Sequence, residues 1–210
     1  MAITINGSGT ITGVSAGGLP DGSVTADDLA STLDLGSKTL TIPTNTTGLP
    51  SAGISEADQW RLTANFQGTA NPITTNLERN DNSGFGYLGT GMTHSSGVFT
   101  FPSTGYWLIR ADAMFRFTSG SPYNVIYIET NITGGGASGW TTQVESNTLM
   151  TSDSGANFYG SSDGEFIFDV TDTSTHKIRF VSQVENSGVY TMGSSTLNKT
   201  YFTFLKLGDT

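Results

Sequence analysis

From Trp60 onward the chain alternates apolar and polar positions with a period of two. In "WRLTANF", Trp60, Leu62, Ala64 and Phe66 share one face, and Arg61, Thr63 and Asn65 share the other. The pattern is sharpest in "YWLIRADAMFRF". There Trp107, Ile109, Ala111, Ala113, Phe115 and Phe117 line up against Tyr106, Leu108, Arg110, Asp112, Met114 and Arg116. Successive strand side chains point to opposite faces, so such alternation predicts strands that cover a core on one side. Further strands are predicted at "YNVIYIETNI", "EFIFDV", "HKIRFVSQV" and "TYFTFLKL", separated by turns such as Asp163-Gly164. Roughly eight strands of this kind bury their apolar faces most economically as a two-sheet sandwich.

The block "GVFTFPSTGYW", residues 97–107, has a mechanical reading within that scheme. Phe99 and Phe101 point to one side of a short strand, Pro102 ends its pairing, and Gly105 gives the backbone freedom to turn into the longest strand.

Residues 1–55 differ. Gly or Pro recurs every few positions, and apolar residues are sparse: Ile3, Ile5, Ile11, Val14 and Leu19. One short helix is predicted at "TADDLASTL". Thr25 caps it, Asp27 and Asp28 suit its first turn, and Leu29 and Leu33 lie four apart on one face. A small strand around Leu40 and Ile42 leads into a Pro/Gly/Thr linker. Alone, this segment buries too little surface to offset its ordering entropy, so it is a flexible tail or it docks onto something. The chain therefore divides into a docking segment, 1–55, and a β-domain, 56–210.

Composition supports an all-β fold. Thr is the commonest residue, Gly is abundant, 35% of residues are hydrophobic and only 13% are charged. The absence of cysteine excludes disulfides and thiolate metal sites. A formal charge of −9 argues against a nucleic-acid partner, which would require a basic stripe. No apolar run approaches the roughly 18 residues of a membrane span, so no membrane insertion is expected. "MAITINGSGT" has neither a basic stretch nor an apolar core, and a signal peptide is not expected.

Candidate chemistry is thin. Gly13 to Gly17 matches the G-x-S-x-G elbow around Ser15, but lies in a Gly/Ser-rich stretch without the strand-to-helix setting that motif requires. "LGSKT" lacks the glycines of a phosphate loop and reads as a turn. His94 and His176 have no companions at ligand spacing. No carboxylate pair for glycoside cleavage stands out among Glu129, Glu145, Glu165 and Glu185. Asp81, Asp153 and Asp163 sit beside Asn, Ser or Gly, a setting shared by loop calcium and ordinary turns. No catalytic residue and no cofactor are expected, and a metal stays open.

"GVFTFPSTGYWLI" resembles the signature of the complement 1q and tumour-necrosis-factor jelly-roll superfamily, an F-x-x-P-x-x-G-x-Y hairpin leading into a core strand. Phe99, Pro102 and Gly105 take the first three of those places, with Tyr106 directly after Gly105 and Phe101 beside them. "ANFQG" and "GFGYLGTGMTHSSGVFTFP" are similar to the superfamily's first strands, and "TYFTFLKLG" to its aromatic last strand. The resemblance spans roughly residues 58–208 and implies a homotrimeric jelly roll; the chain departs from the pattern in lacking cysteine and a collagen-like stalk.

The homotrimer gives meaning to two doubly apolar strands. Tyr123, Val125 and Tyr127 face away from Ile126, Ile128 and Ile132, while Tyr201, Leu205 and Leu207 face away from Phe202 and Phe204. A sandwich buries only one face of each sheet by itself. The second face points to a subunit contact, ahead of a docked N-terminal segment. Tyr123, Val125, Tyr127, Tyr201, Leu205 and Leu207 are therefore the expected trimer interface.

"GTITGVSAGGLPDGSVTADDLASTLDLGSKTLTIP" resembles segments near the start of fibre and appendage proteins of tailed bacteriophages, especially aquatic ones. This implies a virion structural protein, assembled in the host cytoplasm. The segment would anchor to capsid, tail or adaptor proteins through Ile3, Ile5, Ile11, Val14, Leu19, Leu29 and Leu33. The jelly-roll tip would then meet a host receptor or glycan. Alternatives are a capsid decoration protein that reinforces the shell and, from another class, a tailspike-type enzyme acting on surface polysaccharide.

Overall fold

The structure is a computed structural model that describes residues 53–118, 120–151 and 157–210. The chain divides into two units, Met1–Leu49 and Pro50–Thr210. The expected helix, the strand around Leu40 and Ile42, and the attachment positions Ile3, Ile5, Ile11, Val14, Leu19, Leu29 and Leu33 lie outside the described residues.

The described residues form strands and no helix. In chain order these are β1 (Ala57–Leu62), β2 (Phe66–Gln67), β3 (Leu77–Arg79), β4 (Thr93–Ser95), β5 (Val98–Thr100) and β6 (Gly105–Phe117). Then come β7 (Ser121–Asn131), β8 (Thr141–Met150), β9 (Phe158–Val170), β10 (Lys177–Val184), β11 (Tyr190–Thr191) and β12 (Tyr201–Gly208). In the first sheet β3, β1, β12, β6 and β9 lie side by side, all antiparallel. The partner strand β12 ends its register on β6 at Asp112, and β11, backed by β2, pairs with Phe115 and Arg116 further along. The second sheet runs β4-β5-β10-β7-β8. This is the expected all-β, two-sheet jelly roll.

The alternation of β6 is realised residue by residue. Trp107, Ile109, Ala111, Ala113 and Phe115 are buried in the core, and Phe117 at the strand end is partly buried. Facing them from the second sheet are Ile126, Ile128, Ile178 and Phe180. Phe99 makes edge contacts to Trp60 and Phe180, with ring centroids 5.6 Å apart in each case. Each fully buried Phe stabilises the fold by about 1.5–3 kcal/mol.

The "GVFTFPSTGYW" block behaves as its sequence dictates. Phe99 lies at the centre of β5, while Phe101, just past the strand, packs on Trp107 and Phe168 at 5.2 and 5.7 Å. β5 ends at Thr100, two residues before Pro102, which has no N–H to continue a ladder. The indole Nε1 of Trp107 donates to the Ser103 carbonyl at 3.2 Å, which fastens the turn. Gly105 has φ +139°, and a Cβ there would collide with the Gly208 carbonyl oxygen. Its place in the signature is thus fixed by the close approach of β12.

Four expectations need correction. Asp163-Gly164 is not a turn: both residues lie inside β9, opposite Asp112 and Ala111. Pairing along the whole of β6 overrides the local turn preference of that dipeptide. "TTQVESNTLM" forms β8, which the alternation did not predict. It is an edge strand with many exposed polar residues, so hydrophobic periodicity carries little signal there. Ile132 lies beyond the end of β7 and is exposed, apart from the buried Ile126 and Ile128. In "WRLTANF" the strand stops at Leu62, leaving Ala64 exposed. Arg61, on the far face, is completely buried rather than solvated.

On one side the two sheets close through side chains. β9 and β8 are the edge strands of the first and second sheets, and the inward positions of β9 are small there: Gly160, Ser162 and Gly164. A Cβ on Gly160 would stand 3.0 Å from the Thr148 side chain, and one on Gly164 would stand 2.5 Å from Val144. The Ser162 hydroxyl donates to the Ser146 carbonyl between them.

Candidate interaction surface

The outward positions of the first sheet form rows across its strands. One row is apolar throughout: Ile167 opposes Leu108, Leu108 opposes Leu205, Leu205 opposes Ala57, and Ala57 bridges Leu88. Ile167 and Leu88 are 56% and 48% exposed, with Tyr106 and Leu207 also open nearby. A continuous apolar row across a solvent-facing sheet is what a buried contact requires and what an isolated domain has no reason to keep.

The next rows along the same face are polar. Arg110 opposes Glu165 and Thr203, and Asp112 opposes Asp163 and Tyr201. Arg110 Nε donates to Asp112 at 2.9 Å and its Nη2 donates to Asp163 at 3.2 Å. The hydrogen bond to Asp112, and then that residue's charge, hold the guanidinium even more firmly protonated than usual. Burial, and then the charge of Asp112, push the Tyr201 hydroxyl up.

The polar row ends in a closed network. Arg61 donates from Nε and Nη2 to Glu78 at 2.9 and 2.6 Å, and from Nη1 to Asn80 at 3.2 Å. Its Nη2 also meets Asp81 at 2.5 Å and the Ser195 carbonyl. Asp58, on the inner face of β1, receives Arg79, the Trp60 indole at 3.0 Å and the Met92 amide at 2.7 Å. Arg79 in turn lies over the rings of Trp60 and Tyr87. These groups lock the edge strand β3 to β1.

The expected interface residues fall on two surfaces. Tyr201, Leu205 and Leu207 lie on the outer face of the first sheet, where Leu205 belongs to the apolar row. Tyr123, Val125 and Tyr127 lie on β7, in the second sheet. Val125 is fully buried within the domain. The two tyrosine hydroxyls are 2.6 Å apart, and Tyr123 donates to Glu145 at 3.0 Å. The bond to Tyr127, with burial and Glu145 behind it, pushes the Tyr123 hydroxyl well up. Nearby, Arg179 donates to Glu129 at 2.6 Å and lies over Trp140.

The structure adds Leu108, Ile167 and Leu88 to the surface. Ile167 carries the signal that was available: in "EFIFDV" it stands apolar between two phenylalanines that point inward.

Among the described residues no group of three or more His, Asp or Glu is placed to hold a metal ion. Asp81 and Asp163 are engaged by arginines, while Asp153 and Ser15 lie outside the described residues. His94 packs edge-on to Trp60 at 4.9 Å, and its burial lowers its pKa. His176 packs beside Phe168 at 5.4 Å.

No protein-family model and no curated protein matches the chain. Solved structures do match its fold. The Eiger TNF of S. frugiperda is 10% identical, with a TM-score of 0.55 over 73% of this chain and 93% of that one. Murine APRIL is 12% identical, with a TM-score of 0.50 over 72% and 98%. The globular domain of zebrafish complement 1qA is 8% identical, with a TM-score of 0.45 over 74% and 99%. The chain from Gly53 onward thus has a tumour-necrosis-factor-like jelly-roll fold.

Proposed function

We propose that this protein is a homotrimeric, non-enzymatic structural protein of a tailed-bacteriophage virion. Residues 1–55 anchor it to the particle and the jelly roll faces outward to bind a host surface. The observation that carries the assembly is the apolar row Ile167–Leu108–Leu205–Ala57–Leu88 on an otherwise solvent-facing sheet. Three copies packed on that face would bury it. The jelly-roll fold supports the same arrangement through the superfamily resemblance, which implies a trimer. Of the two expected halves of the interface, Tyr201, Leu205 and Leu207 belong to this face. In this reading Tyr123 and Tyr127 stay on the outside of the trimer, and Val125 stays in the interior of its own domain.

The virion setting rests on the likeness of residues 9–43 to phage appendage segments.

Two measurements test the reading. Light scattering on the full chain is expected to return three times its 22.1 kDa mass; a monomer at micromolar concentration would remove the assembly. Antibody-labelled electron microscopy of intact particles is expected to place the protein on the head or tail. Removal of residues 1–55 is expected to abolish that labelling while leaving the trimer folded. Unlabelled particles would overturn the virion role without touching the trimer.

A further inference from the structure

We infer that the end of the first sheet around Arg116 is a binding site for a carboxylate-bearing sugar. Four of the five arginines of the chain are ion-paired: Arg61, Arg79, Arg110 and Arg179. Among the described residues Arg116 has no carboxylate partner, although acidic residues outnumber basic ones 18 to 9. Nor does the side chain hang free in solvent. Its guanidinium lies 4.8 Å from the ring centre of Tyr190, its Nη1 donates to Asn157 Oδ1 at 3.2 Å, and its buried Nε has no hydrogen-bond partner. A cation that is held in place, desolvated in part and without a counter-charge among the described residues is prepared for an anion from outside.

The register explains the placement. Gln67, Tyr190 and Arg116 oppose one another across β2, β11 and β6, with Tyr159 on the far side of Arg116. Gln67, Arg116 and Tyr190, together with Phe117, Thr118 and Asn157, line a cavity of about 360 Å³. Two side-chain amides, a hydroxyl and aromatic rings around one arginine match the chemistry of a pyranose that carries a carboxylate. The guanidinium takes the carboxylate, the amides take hydroxyls, and the rings take the C–H faces. Leu108 lies eight residues back along β6, about 27 Å away at strand spacing, so the apolar row is a separate surface. The inference deepens the surface-binding reading and rests on it only for its biological setting.

The test is titration of the full-length protein, followed by NMR, with four probes. These are glucuronic acid, an oligosaccharide ending in glucuronate, neutral glucose and acetate. Shifts confined to the Arg116 row are expected with the first two probes, which separate a free sugar from a chain end. Arg116→Gln is expected to weaken them about 10- to 100-fold, and Arg116→Lys less, with an unchanged melting temperature. No response to either acidic sugar, equal binding by Arg116→Gln, or equal binding of acetate would overturn the proposal. A change of particle mass in Arg116→Gln would also overturn it, by assigning the residue to a contact between copies. That last arm reads assembly directly, so failure of the trimer and failure of the sugar site stay distinguishable.

Discussion

Phe180 of β10 and Phe202 of β12 stack ring on ring across the two sheets, with centroids 3.8 Å apart and planes 8° from parallel. Both rings are buried, and each also meets Phe99. Phe202→Ala opens a cavity at the junction of both sheets and is expected to cost about 3–5 kcal/mol. Denaturant midpoints at a single protein concentration measure this, because dissociation of the proposed trimer would be coupled to unfolding.

The strict alternation of β6 separates neighbours sharply. Phe115→Ala should lose about 3–5 kcal/mol, whereas Arg116→Ala should move stability by about 0.5 kcal/mol or less. Phe115 is fully buried in the core and Arg116 is on the opposite face. Equal midpoint shifts in the two variants would mean that the face assignment is wrong.

Leu108 sits between Ile167 and Leu205 in the apolar row. Leu108→Asp places a charge at the centre of the proposed contact and is expected to yield a folded monomer in light scattering. Tyr127→Asp, on the other sheet, is expected to leave the trimer intact. A monomer from Tyr127→Asp would move the contact to β7.

Two arginines of the first sheet should respond differently to loss. Arg61 is fully buried and holds Glu78, Asn80, Asp81 and the Ser195 carbonyl. Arg61→Ala strands those groups and is expected to cost about 2–3 kcal/mol. Arg110, on the open part of the sheet, meets Asp112 and Asp163 under solvent, and Arg110→Ala should shift the midpoint far less.

His94 introduces a pH dependence. Burial against Trp60 and Phe99 lowers its pKa below 6.5, so the folded chain binds a proton there less readily than the unfolded chain. Above pH 6.5 the group contributes nothing to the difference. As pH falls through and below 6.5 the unfolded state gains the proton first, and stability drops. His94→Gln should flatten the stability profile between pH 7 and 5; an unchanged slope would assign it elsewhere.

How much of this was legible in the sequence depends on where side chains carry an apolar signal. β6 announces itself because every second residue is buried and apolar, and Gly105 and Pro102 mark its entry. The last strand is equally plain, since Phe202 and Phe204 alternate with Tyr201 and Leu205. β8 stayed hidden because an edge strand with exposed Thr, Gln, Glu and Asn leaves no period to read. The burial of Arg61 was illegible for another reason. It depends on Glu78, Asp81 and Ser195, which only the pairing of β1 with β3 and the loop before β12 bring together. The apolar row likewise needs cross-strand register, and a single sequence does not print register.

The seam where β9 meets β8 sets different tolerances on alternate residues of one strand. At the seam its inward positions Gly160, Ser162 and Gly164 are small, and a Cβ added at Gly160 or Gly164 would press on the side chains of Thr148 or Val144 of β8. Its outward positions, Tyr159, Asp163, Glu165 and Ile167 among them, carry no such limit from the fold. Sequence drift along β9 should therefore run on a two-residue beat, frozen on one side and open to selection by whatever the outer face touches on the other. A new partner can be acquired there by substitution alone, without rebuilding the domain.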